Sequence, residues 1–120
     1  LLRRAMQYAA TFGYRVWLRP SDPYLCRGGV AHDGEVATRL GLPGLPAIGE
    51  TIALATILAL ARETGVRLHV GRLSAAASVQ MIRAAKADGA AVAHFGRCSA
   101  AVRSVVARGI VAASPHAHLE

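Results

Sequence analysis

The chain has 120 residues and a net charge of +7, from 14 Lys and Arg against 7 Asp and Glu. At 53% hydrophobic and 18% charged it is too apolar for a disordered segment and long enough for one small domain with a modest core. The arginines are scattered, with no run beyond Arg3-Arg4, and only 5% of residues are aromatic, which argues against a nucleic-acid surface.

Residues 2–11 read as a short helix, with Leu2, Met6 and Ala9 on one stripe and Gly13 as its stop. Residues 14–18, YRVWL, read as a buried strand of a parallel sheet, ending at Arg19-Pro20. A long loop follows over 19–49, holding four of the five prolines and six of the 12 glycines. Loops of that length are functional or packed by their own side chains. Its GLPGLP segment is no phosphate cradle, because proline removes amide donors.

Residues 50–64 read as an apolar helix with Ile52, Ala55, Ala59 and Leu60 toward the core. Arg62 suits the negative end of its dipole, and Gly65 follows as a stop. Residues 66–70 form the next strand. Ser74 is expected to cap a helix over 74–87, closed by Asp88-Gly89. A third strand is expected over 90–95, a helix over 99–107 and a last strand over 110–113. Alternating helices and strands predict an α/β fold with parallel pairing and right-handed crossovers.

An internal echo crosses the second half. HVGRLSAA from His69 is matched by HFGRCSAA from His94, 25 residues on, with six identities in eight positions. A duplicated βα unit, chance similarity of alanine-rich helices and a miscalled reading frame each account for it.

Chemistry in such folds sits at strand tips. One tip carries Arg19, in LRPSD, and another carries His69, Arg72 and Ser74, in HVGRLS. An arginine cannot ligate a metal, since its guanidinium stays protonated. Arg19 and Arg72 are therefore candidate anion-binding residues, or structural ion-pair partners, with Asp22 a candidate for Arg19. Asp33 and Glu50 are the loop carboxylates to watch; turn capping and charge at a helix start are the plainer readings. His69, His94, His116 and His118 are the candidate metal ligands. His116-Ala-His118 has the spacing of two imidazoles on one side of a strand, and equally of a surface pair.

Cys26 and Cys98 have no metal spacing and read as reduced thiols, so a cytoplasmic location is expected. No leader-like apolar core follows Arg3 and Arg4, and the run over 52–61 is too short to span a bilayer. The chain opens on Leu1 in mid-pattern and reads as a piece of something longer. The terminal HLE reads equally as native sequence or a tag remnant.

AMQYAATFGYRVWLRPSD, then GGVAHDGEVATRLGLPGLPAIGETIALATILALARETGVRLHVGRLS, then AAKADG, resembles the middle of a bacterial dihydroorotase. That family is an amidohydrolase-superfamily (β/α)₈ barrel of pyrimidine biosynthesis. The resemblance covers residues 1–89, and the glycine- and proline-marked stretch 29–46, with Glu50 following, carries most of its specificity. Residues 90–120 read as a copied βα unit and a degenerate tail of the same barrel domain, with SPHAHL similar to the family's next strand tip.

The resemblance implies a cyclic amidohydrolase that interconverts dihydroorotate and carbamoyl aspartate by attack of zinc-bound hydroxide. It places histidine ligands where this chain has Arg19 and Arg72, while His69 falls three residues before a ligand position. With both ligands replaced, the chain is most similar to the non-catalytic dihydroorotase-like proteins that associate with aspartate transcarbamoylase. The implied function is support of that enzyme's assembly, with no cofactor and with the aspartate transcarbamoylase catalytic chain or a second copy as partner. An active zinc-dependent amidohydrolase is the alternative, and a basic nucleic-acid-binding domain the weaker one. A partial barrel also leaves sheet edges and helix faces open, which predicts self-association or marginal stability.

Overall fold

Apolar residues recurring every three or four positions and short valine-bearing stretches set the alternation of elements. In the computed structural model, backbone is described for residues 1–95 and side chains for residues 1–92. Helix α1 (Leu2–Thr11) leads through Gly13 into strand β1 (Arg15–Leu18). The long segment to residue 46 holds β2 (Ala31–His32), α2 (Glu35–Arg39) and β3 (Gly44–Leu45). Then come α3 (Ala47–Thr64), β4 (Arg67–Gly71), α4 (Ala76–Ala87) and β5 (Val92–Phe95). The helix expected over 99–107, the strand over 110–113 and most of the second copy of the echo lie outside the described residues.

The main sheet has the order β1-β4-β5, all parallel. Leu18 pairs in register with Val70, and Val70 with His94, so the three strand ends lie side by side. After β1 and β4 the chain returns through α3 and α4 to the next strand of this sheet, as parallel pairing requires.

The core lies between sheet and helices. Val16 and Leu18 of β1 and Leu68 and Val70 of β4 face Met6 and Ala9 of α1, Leu54, Ile57, Leu58 and Ala61 of α3, and Ile82 and Ala85 of α4. Burial of this stripe at about 25 cal/mol per Å² of apolar surface is the main force holding the layers together. The inward face of α3 is thus 54, 57, 58 and 61, one helical stripe; of the residues expected there, half-buried Leu60 packs against this core, while Ile52, Ala55 and Ala59 are exposed. Because α3 is apolar on nearly every side, its periodicity carries no phase. Packing against α1 and α4 sets the face instead.

Gly65 ends α3 in the left-handed conformation at φ 67, and its amide donates to the Ala61 carbonyl at 2.9 Å. Arg3 of α1 pairs with Glu63 of α3, and Arg62 with Asp88 beyond α4. No helix among the described residues is long and apolar enough to cross a membrane.

Candidate functional site

The segment between β1 and α3 folds over the strand tips rather than running as plain loop. Strands β2 and β3 pair in parallel, Ala31 with Gly44 and His32 with Leu45. The Val30 amide donates to the Pro43 carbonyl at 3.0 Å, and the Asp33 amide to the Leu45 carbonyl at 3.0 Å. This pairing requires Gly44, since a Cβ there would stand 2.6 Å from Asp33 Oδ1. Asp33 itself is exposed. A second close approach anchors the segment to α3, where a Cβ on Gly49 would stand 2.5 Å from Cys26 Sγ.

Under this cover lies a cavity of about 300 Å³. Its charged and polar lining comes from Arg19, Ser21, His32, Glu50, Arg72 and Ser74. The two arginines singled out by sequence are therefore brought together. Arg19 follows the last residue of β1 and Arg72 the last residue of β4, and those strands are neighbours. Cys26 also lines the cavity. Sequence reasoning gave Cys26 and His32 no role here, because only the short β2–β3 pairing carries His32 to the strand tips.

Glu50 is buried at 9% exposure in the first turn of α3. Its carboxylate accepts from the Ser74 amide at 3.0 Å, the Ser74 hydroxyl at 2.5 Å and the Ala75 amide at 3.0 Å. A negative group at the start of α4 meets amides that lack intrahelical acceptors, and the helix dipole favours it. This overturns the capping role expected of Ser74. The N-cap position is Ala75, and the Ser74 side chain turns back to Glu50 instead.

Asp22 likewise does not serve Arg19 in the expected way. Its Oδ1 accepts from the amides of Tyr24 and Leu25, at 2.9 and 2.8 Å, holding a tight turn. Among the described residues no carboxylate forms an ion pair with Arg19 or Arg72. Arg72 also has left-handed backbone, φ 58, alone among the described non-glycine residues. That conformation costs an L-residue roughly 1–2 kcal/mol.

His69 lies apart from the cavity. Its ring meets Trp17 edge-on at 4.6 Å between centroids, across the β1–β4 register pair, and its Nε2 is buried without a partner. Gly71 makes room for the same indole, since a Cβ there would stand 2.5 Å from Trp17 Nε1. His94 belongs to β5, in register with Val70. His116 and His118 lie outside the described residues. Among the described residues no group of three or more His, Cys, Asp or Glu side chains is placed to hold a metal ion.

Parallel βα units with polar residues gathered at the strand tips form a segment of a (β/α)₈ barrel. The fold is similar to that of L-hydantoinase (dihydropyrimidinase) from Arthrobacter aurescens, with a TM-score of 0.62 at 21% identity, over 79% of this chain and 22% of that one. No protein-family model matches the chain. Its sequence is 48% identical over 92 residues to a dihydroorotase of Pelotomaculum thermopropionicum, covering 77% of this chain and 22% of that protein. It is 44% identical over 89 residues to a dihydroorotase-like protein of Pseudomonas aeruginosa, covering 74% and 21%. The chain is dihydroorotase-like in sequence and spans about a fifth of the length of these curated relatives.

Proposed function

We propose that this chain is part of a dihydroorotase-like protein of pyrimidine biosynthesis that has lost hydrolysis and supports the assembly of aspartate transcarbamoylase. One observation carries the reading. Arg19 and Arg72 occupy the two strand-tip positions where the resemblance places histidine ligands, and both line one cavity. A guanidinium has no lone pair to give a metal, and it brings positive charge to the place a cation would fill.

The test is metal analysis of the purified protein together with a dihydroorotate ring-opening assay and co-purification with aspartate transcarbamoylase. The expected result is substoichiometric zinc, no ring opening and a stable complex. Stoichiometric zinc with turnover would sink the reading.

A second reading, an active metal-dependent cyclic amidohydrolase, is favoured by the 48% identity to a protein named dihydroorotase. It needs His69, His94, His116 or His118 to replace the missing ligands. Alanine substitution at each, with no loss of any measured hydrolysis, would remove it.

A further inference from the structure

We propose that the strand-tip cavity binds a small oxyanion carrying two negative charges, of the phosphate or dicarboxylate type, between Arg19 and Arg72. The inference rests on the reading of these tips as lacking metal ligands, and names what the site takes in place of a metal.

Four observations converge. Arg19 and Arg72 follow the ends of adjacent parallel strands, and both residues line the same cavity. Its volume of about 300 Å³ suits a small ligand. The one buried acid in its wall, Glu50, is held by the Ser74 amide and hydroxyl and the Ala75 amide and forms no ion pair with either arginine. Among the described residues no other carboxylate pairs with either arginine.

The backbone supplies the fourth. Arg72 is held in the left-handed region, where glycine or asparagine would sit without comparable cost. Strain kept at a non-glycine residue beside a cavity points to use of its side chain. His32 adds an imidazole donor from β2, and Val30, Leu45 and Pro46 give an apolar wall that strengthens charge pairing. Planar guanidinium forks match the oxygen pairs of carboxylate and phosphate alike.

Isothermal titration calorimetry of the full chain tests this, with inorganic phosphate and succinate in separate arms. One saturable site per chain is expected for at least one anion. Phosphate alone assigns a phosphate ligand, succinate alone a dicarboxylate, and both together the shared oxyanion chemistry. Arg19→Gln and Arg72→Gly should each raise Kd by about tenfold or more, the loss of one charge-assisted contact. Arg72→Gly should raise Tm while binding falls, since glycine removes the backbone strain; a purely structural arginine would not separate the two. No saturable binding of either anion, or unchanged Kd in both variants, would overturn the proposal. The outcome is separable from the proposed function. Anion binding by zinc-free protein upholds this inference even if no complex with aspartate transcarbamoylase forms.

Discussion

Ser78 is buried on α4 with its hydroxyl lacking a hydrogen-bond partner among the described residues. A buried hydroxyl without a partner costs about 1–3 kcal/mol, and alanine is the better helix former. Ser78→Ala should therefore stabilise the fold by about 1 kcal/mol, read from urea unfolding. A loss of stability would show that the hydroxyl has a partner after all. Glu50 is the opposite case. Glu50→Ala would strip the acceptor from two amides and a hydroxyl at once, and should cost about 2–3 kcal/mol in the same measurement. A change within about 0.5 kcal/mol would mean that water takes over the carboxylate's role. Neither effect could be read from sequence, since a glutamate in a first helical turn is ordinarily a surface charge, and its partners lie 24 and 25 residues away.

At the scale of elements, the three strands of the main sheet and helices α1, α3 and α4 were legible in order, because each strand is a short, largely apolar stretch between helical periods. The strand ends differ by one or two residues, β4 running Arg67–Gly71 rather than over 66–70. Three things were hidden. The face of α3 depends on its neighbours. The 19–49 segment conceals β2, α2 and β3, whose two-residue strands are too short to show alternation. The tip of β4 is fixed by a carboxylate from another element. For the candidate site, Arg19 and Arg72 were legible as strand-tip residues, but their sharing of one cavity with His32 was not.

The α1–α3 contact adds a pH dependence. The hydrogen bond from Arg3, aided by its charge, holds the Glu63 carboxyl below its ordinary 4.5, against a smaller opposing effect of burial. A lowered folded value contributes stability that is present above 4.5 and lost as pH falls through that lowered value. Both groups are exposed, so the contribution is small and salt screens it. Glu63→Gln should narrow the Tm difference between about pH 5 and about pH 3 at low salt and leave it unchanged at high salt. An unaltered difference at low salt would remove the pair from the account.

For the whole molecule, the balance of covered and open surface decides behaviour. Tyr8, Phe12 and Tyr14 form an exposed aromatic group, with ring centroids 4.7 and 5.8 Å apart, and Trp17 is 71% exposed on β1. Among the described residues β1 is hydrogen-bonded to a strand on one side only. Open edges and clustered aromatic surface favour association. Light scattering after size exclusion should show the isolated chain's mass rising with concentration. A clean monomer with one sharp two-state melt would contradict this.

The Glu50 contact also leaves a signature in time. Amides just before and within a first helical turn ordinarily exchange their protons quickly with solvent, having no acceptor inside the helix. At Ser74 and Ala75 a buried carboxylate supplies that acceptor. Their deuterium uptake should be as slow as that of mid-helix amides, and Glu50→Ala should release both together. Two adjacent protons would then report, on the scale of minutes to hours, how often the start of α3 parts from the end of β4.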